Sequence, residues 1–295
     1  MRILLLGATG QVGWELHRAL QPLGQVIGVG RNTAALIADL SQPESLRALL
    51  RDIKPDVIVN AAAYTAVDKA EDESGLAYAV NAESLHVLAQ EAATLHAGLI
   101  HFSTDYVFDG AGTTPYHEQD PVNPLSVYGR SKLAGEQAVV ASSPAYAIFR
   151  TQWVYGTRGN NFLLTMQRLA RERSQLNVVN DQFGAPTWCR LLAEATAGVL
   201  AQGHGDPVGL LRERSGVYHL SCAGQCTWFD FANAIIARTT PSPGGALARV
   251  NPITTAEYPT KARRPTYSVL DNARFHSTFG LRLPDWQTGL ELALT

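Results

Sequence analysis

The chain has 295 residues, of which 46% are hydrophobic and 17% charged, with 24 Lys and Arg against 26 Asp and Glu. That length and balance describe an ordinary globular chain with room for a large core and one or two domains. A net charge of −2 gives no electrostatic case for a nucleic acid or an anionic membrane as partner, and no apolar run is long enough for a signal peptide or a span.

Ile3 to Leu6 form a short unbroken apolar run, as in a strand buried on both faces of a parallel sheet. Gly7-Ala-Thr-Gly10-Gln-Val-Gly13 follows and leads into helical periodicity through Trp14, Leu16, Leu20 and Leu23. A glycine turn between strand and helix lets a diphosphate approach the backbone, with the helix N-terminus facing its charge. A second strand is expected over 25–29. Many NAD-binding folds place an acidic residue near its end, to hold the ribose hydroxyls. Here the region reads Gly28-Val-Gly-Arg31-Asn32. Arg31 can pair with a 2′-phosphate, which points to NADPH with NADH as the alternative; the other reading is a solvated loop residue. Asp39-Leu40 is suited to the adenine edge.

Residues 45–53 read as a helix and Val57-Ile-Val59 as a strand running into Asn60-Ala-Ala-Ala-Tyr-Thr65. Small residues such as Ala62 and Ala63 at a strand's carboxyl end let a flat ligand lie against the backbone. A helix from about residue 74 to 95 carries Asn81, a cap or brace in an otherwise apolar pattern. Leu99-Ile-His-Phe-Ser-Thr-Asp105 is another buried strand, ending in hydroxyls that could meet a substrate carbonyl or simply form a turn.

Ser126-Val-Tyr-Gly-Arg-Ser-Lys132 sets Tyr128 and Lys132 four residues apart, on one face of a helix. A nearby ammonium favours a phenolate, so the pair is expected to lower the Tyr128 pKa and make a proton donor usable near neutrality. Alone the pattern is common. Strands alternating with helices make the fold α/β, a doubly wound parallel sheet, in which the glycine loop, Thr65, Ser103, Thr104 and the Tyr128 helix converge at one edge.

Beyond about residue 150 the alternation becomes irregular. Helices are expected over 161–173, 191–200, 228–238 and 286–294, with loops at 203–209 and 241–245. The expected division is a dinucleotide-binding domain at 1–150 and a smaller, mixed α/β, mainly substrate-binding domain at 151–295, with some segments returning to pack on the first. Cys189, Cys222 and Cys226 are an odd count without a secretory leader, which argues for small buried thiols and a reducing, cytoplasmic setting. Lys261, Arg263 and Arg264 are diphosphate candidates, since guanidinium forks match phosphate oxygens, or else a solvated basic loop.

In this order, the glycine loop, Asn60 to Ala63, Ser103-Thr104 and Tyr128-x-x-x-Lys132 resemble the extended, nucleotide-sugar-modifying branch of the short-chain dehydrogenase/reductases. Further stretches narrow the match: Val67-Asp-Lys-Ala-Glu71, Ser103-Thr-Asp-Tyr-Val-Phe-Asp-Gly110, Arg150-Thr-Gln-Trp-Val-Tyr-Gly156, Asn161-Phe162, Asp181-Gln-Phe-Gly-Ala-Pro-Thr187 and Arg263-Arg-Pro265. Together they resemble the dTDP-4-dehydrorhamnose reductase family nearly end to end. The resemblance implies a Rossmann-like fold and reduction of the C4 ketone of a dTDP-sugar substrate, in the synthesis of dTDP-L-rhamnose. Tyr128 would be the proton donor, Lys132 would hold the nicotinamide ribose and Thr104 would polarise the carbonyl. Gln11, Val12, Asp39, Leu40, Ala63 and Thr65 fall at the family's cofactor contacts, Asp105 and Trp153 at its sugar contacts, and the match singles out Arg264. Members described with magnesium at a dimer interface use acidic residues. Glu15 matches one, but Arg190 stands at another, and a cation there repels a metal; no metal is expected, and a homodimer is left open. Phe102 replaces a tyrosine of some relatives. Among sister activities, the 4,6-dehydratases carry Thr-Asp-Glu where Tyr106 stands here, and a 4-epimerase would not consume its cofactor. From another class, the family-like regulatory subunit of methionine adenosyltransferase is an alternative, against which the intact Thr104, Tyr128 and Lys132 set speaks.

Overall fold

The computed structural model describes residues 1–30, 36–203 and 205–295. Its centre is a six-stranded parallel sheet. The strands are β1 (Arg2–Leu6), β2 (Gln25–Val29), β3 (Val57–Asn60), β4 (Gly98–Thr104), β5 (Tyr146–Thr151) and β6 (Gly216–His219), in spatial order β6-β5-β4-β3-β1-β2. The apolar runs are unbroken because both faces are covered. Ile3 and Leu5 enter one core with Val57, Val59, Ile100 and Phe102, while Leu4 and Leu6 enter the other with Ile58, Leu99 and Ile148. The helices supplying those cores include α1 (Gln11–Ala19), α2 (Ser45–Ile53), α3 (Ser84–Thr94), α4 (Val127–Ser142) and α5 (Cys189–Ala201). A bridge from Gly30 to Ile37 adds a stub beyond β2. The chain's course therefore reverses between β1 and β3, and a doubly wound, Rossmann-like sheet opens its ligand crevice at that switch point.

Several expectations change in detail. The helix expected over about 74–95 comes in three pieces, Ser74–Tyr78, a π-helical turn Ala79–Glu83, and α3. The expected 203–209 loop ends early, because Pro207 opens a short helix, Pro207–Glu213, capped by the Asp206 side chain. The strand that follows, β6, was not expected at all; it returns more than sixty residues later in the chain to pair with β5. Helix α5 likewise comes back to pack on α1.

The remaining C-terminal elements form a third core around Tyr155, Leu163, Phe231, Trp286 and Leu290. Its strands are paired ribbons, Gln175–Val179 with Arg249–Ile253, Val154–Tyr155 with Thr187–Trp188, and Phe183–Gly184 with Cys226–Thr227. The three cysteines are free and buried, and burial pushes the Cys189 and Cys222 thiols up to about 12. Among the described residues, no helix is long and apolar enough to cross a membrane.

Candidate active site

The glycine turn and the end of β3 meet at the switch point. Gly7 has φ +78°, a conformation side chains rarely adopt, and a Cβ there would lie 2.7 Å from the Ala62 nitrogen. Gly13 is needed for another reason: its Cβ would fall on the Gly7 carbonyl oxygen. Gly10 precedes α1 without a side-chain cap, so the first amides of that helix face the crevice unpaired by any side chain. Such a cradle fits a dinucleotide's diphosphate. Gln11 borders it and accepts from Asn161 Nδ2 at 2.8 Å, which fastens a C-terminal loop over the turn. Val12 packs between cores, and Ala63 and Thr65 lie on the loop after β3. Asp39 Oδ1 accepts from Ser41 N at 2.9 Å. The Leu40 side chain turns inward to the α2 core, so only its backbone can face a ligand. Arg31 lies outside the described residues.

Helix α4 brings the catalytic candidates to this edge. Ser126 Oγ caps it, accepting from Gly129 N at 3.1 Å. Gly129 and Gly135 let it lie close, since a Cβ on either would collide with the carbonyl oxygen of Tyr106 or Asn81 respectively. Asn81, in the π-helical turn, accepts from Tyr64 N at 2.9 Å and donates to Tyr64 O at 3.1 Å and Ser131 Oγ at 3.0 Å. It braces the β3 loop against α4.

Tyr128 is buried, its ring edge-on to that of Tyr106 with centroids 5.5 Å apart, near Thr104 at the end of β4. The expected lowering of its pKa is not what the structure shows. Burial pushes the phenol up to about 12, with the nearby Thr104 hydroxyl acting the other way and the Asp105 charge adding to the rise. Lys132 does not offset this, because its ammonium is turned to other partners: Nζ donates to the Phe102 carbonyl at 2.6 Å and lies 3.0 Å from His101 Nε2. Burial lowers the Lys132 pKa to about 7, with Glu136 opposing. Thr104 Oγ1 in turn donates to Asp105 Oδ1 at 3.0 Å.

Around these groups lie buried polar atoms with no hydrogen-bond partner among the described residues: Ser103 Oγ, Asp105 Oδ2, Thr151 Oγ1 and Gln152 Oε1. Buried polar atoms are nearly always paired, so unpaired ones at the ends of adjacent strands mark where a polar ligand would bind. Burial raises the Asp105 carboxyl to about 6. Thr151 and Gln152 were not singled out from sequence; their signal was the polar pair after an apolar strand. Trp153 follows, in the left-handed region at φ 45°, rare for a large side chain. Its ring stacks on Trp228, centroids 3.6 Å apart. Arg264 reaches the rim near Tyr106, but its guanidinium forks onto Asp68, at 2.7 and 3.3 Å. Lys261 pairs with Asp72, and Arg263 is exposed.

The Glu15 carboxylate, on which a magnesium site would rest, is occupied by a cation of the same chain. Glu15 Oε2 accepts from Arg190 Nε at 3.1 Å, and the described residues hold no cluster of three or more His, Cys, Asp or Glu side chains able to take a metal.

The family model described as RmlD substrate binding domain matches residues 1–295. A dTDP-4-dehydrorhamnose reductase of Burkholderia thailandensis is 49% identical, covering 100% of this chain and 98% of the relative. The crystal structure of a Clostridium acetobutylicum dTDP-4-dehydrorhamnose reductase superposes with a TM-score of 0.89 at 38% identity, over 100% of this chain and 98% of that one. A Bacillus anthracis dTDP-4-dehydrorhamnose reductase in complex with NADP gives 0.87 at 34% identity, over 99% and 98%. Likeness that runs the whole length, in sequence and in fold, joins scattered motifs into one statement: the chain belongs to the dTDP-4-dehydrorhamnose reductase family.

Proposed function

We propose that the chain uses NADPH to reduce the C4 ketone of dTDP-4-dehydro-L-rhamnose, giving dTDP-L-rhamnose. One observation carries this reading: Thr104 and Tyr128, both buried and both set about Tyr106, sit at the sheet edge whose switch point holds the glycine cradle. The NADP complex of the Bacillus anthracis relative supports the choice of cofactor, with NADH as the alternative.

Gly7, Gly10, Gln11, Val12 and Gly13 would cradle the diphosphate, with Asp39, Leu40, Ala62, Ala63 and Thr65 along the rest of the cofactor and Arg31 at a 2′-phosphate. The bound nicotinamide supplies the hydride. Tyr128 gives its proton to the ketone oxygen. A phenol pushed up to about 12 holds its proton at neutral pH but is a weak acid, so its transfer needs positive charge close by as the phenolate forms. Thr104 orients the same oxygen once its own proton is released from Asp105. Lys132 holds the ribose and supplies positive charge as the phenolate forms. Asp105 and Trp153 meet the sugar, and Arg264 exchanges Asp68 for the diphosphate. Residues 1–150 then act as the dinucleotide-binding domain and 151–295 mainly as the substrate-binding domain, in a cytoplasmic enzyme.

Incubated anaerobically with NADPH and the keto sugar, the protein should bleach the reduced-nicotinamide absorbance in step with sugar consumed. Tyr128→Phe should lose about 10²- to 10⁴-fold in turnover and keep its NADPH affinity. An unchanged absorbance with the wild type, or full turnover in the phenylalanine variant, refutes the reading.

A further inference from the structure

His101 is a polar residue where the fold calls for an apolar one. It stands in the middle of β4, fully buried, between Ile100 and Phe102 and opposite Asn60 of β3. A parallel strand covered on both faces is normally apolar throughout, and a buried imidazole costs stability unless both nitrogens are engaged. Both are engaged here. Nδ1 lies 3.2 Å from Asn60 Nδ2, and Nε2 lies 3.0 Å from Lys132 Nζ. The Asn60 amide is itself oriented, because its Oδ1 accepts from Ala62 N at 3.1 Å on the loop that borders the glycine cradle.

Lys132 has few other means of support. It is 1% exposed, and its Nζ donates to the Phe102 carbonyl at 2.6 Å. The carboxylate one helical turn on, Glu136, is already forked by Arg150 at 2.9 and 2.7 Å. On the elements packed about the amine, the ionisable groups are Tyr128 and Glu136 of its own helix, His101 and Asp105 of β4 and its end, and Arg150 of β5, which is paired with Glu136. Of these, His101 is the one that touches Lys132 Nζ at hydrogen-bonding distance, and burial keeps its imidazole uncharged.

A neutral imidazole carries one N–H and one lone pair, so the proton on one nitrogen dictates the role of the other. With Nδ1 accepting from the oriented Asn60 amide, Nε2 carries the proton and donates to a neutral Lys132 amine. With the proton on Nδ1 instead, Nε2 accepts from a Lys132 ammonium. Either way the charge of the lysine is tied to the imidazole.

We propose that His101 is a positioning residue: seated by Asn60, its uncharged imidazole holds the Lys132 nitrogen against the Phe102 carbonyl and governs the proton on that nitrogen beside Tyr128. The inference rests on the reductase reading for the role of Lys132, and it adds a buried layer behind the residues that touch cofactor and sugar.

The test uses the full chain and two variants, His101→Leu, which removes the contact, and His101→Gln, which keeps an uncharged hydrogen-bonding group. Turnover with NADPH and dTDP-4-dehydro-L-rhamnose, and NADPH affinity by fluorescence titration without sugar, are each followed against pH, with unfolding midpoints alongside. In His101→Leu, kcat should fall about 10- to 100-fold with KM for the sugar within about twofold. The pH midpoints of turnover and of NADPH affinity should move together by about one unit, with His101→Gln in between. A move to lower pH identifies Nε2 as the acceptor from an ammonium, and a move to higher pH identifies it as the donor to an amine; both support the proposal. Unmoved midpoints overturn it, whatever happens to the rate, since a merely structural loss would lower activity and leave the profile in place. If His101→Leu does not fold, His101→Gln is judged by the same midpoints. A wild-type chain that oxidises no NADPH with the sugar would sink the reductase reading instead, and the NADPH titration would still report on His101.

Discussion

Two arginine–carboxylate forks flank the site, alike in chemistry and different in nearly everything else. The inner one joins Arg150 of β5 to Glu136 of α4, with side chains 5% and 3% exposed. The outer one joins Arg264 of the C-terminal region to Asp68 of the short helix Val67–Ala70, with side chains 21% and 44% exposed. The inner pair has given up its water, so each charge depends on the other, and its guanidinium also lies over the Phe108 ring. The outer pair keeps part of its hydration and is worth little to stability. The contrast separates two jobs. The inner fork fixes the helix that carries Tyr128 and Lys132, whereas the outer fork links two regions at the rim in a way a ligand's phosphate could replace.

The largest effect should come from breaking the inner fork. Arg150→Met leaves Glu136 buried without its cation and should cost about 3–5 kcal/mol, read from the urea midpoint; a loss under about 1 kcal/mol would erase the contrast. Next is the packing around that fork. Gly135→Ala sets a methyl against the Asn81 carbonyl and should cost about 1–3 kcal/mol, with turnover falling because α4 is displaced. A variant as stable as wild type would show that α4 has slack. At the rim, Arg264→Gln should raise KM for the sugar nucleotide about tenfold, the scale of one lost charged contact, while stability changes by no more than about 1 kcal/mol. If stability fell by several kcal/mol with KM unchanged, the two forks would be doing the same job.

The smallest effect concerns pH. Burial, with the Arg150 cation adding, lowers the His219 pKa to about 3, against about 6.5 unfolded. Below pH 6.5 the unfolded chain therefore binds a proton that the folded chain refuses, and stability falls as pH drops toward 3. His101 acts in the same direction. Asp105, raised to about 6, acts oppositely between about pH 6 and 4, where the folded chain binds the extra proton. The net expectation is a shallow loss on acidification that His219→Gln makes shallower still, measured as unfolding midpoints from pH 7 to 4.5; an unaltered slope would place the acid sensitivity elsewhere.

How much of this was legible beforehand differs by region. The glycine turn, β1 to β4 and the Tyr128 helix were readable, because each is a local pattern: an apolar run, a turn, a 3.6-residue period. The register of β6 was not, since a four-residue strand carries no sign of which edge it will join. Nor was the π-helical turn at Asn81, which looks in sequence like one continuous helix. The pairing of Tyr128 with Lys132 was read as an electrostatic one. Their common face was right, but the strength of their coupling depends on burial and on competing partners, and Phe102 and His101 take the lysine's contacts.

Sequence alone determined which groups are present and their spacing along each element: three glycines between a strand and a helix, hydroxyls at a strand end, a phenol and an amine one turn apart. Those relations are covalent and local, so no other part of the chain can alter them. The tertiary structure decided what each group does with its proton. Burial raises a phenol and lowers an ammonium, and the imidazole, carbonyl and guanidinium that answer those shifts arrive from strands tens of residues away. Their energies depend on distances through space, which the order of residues does not contain.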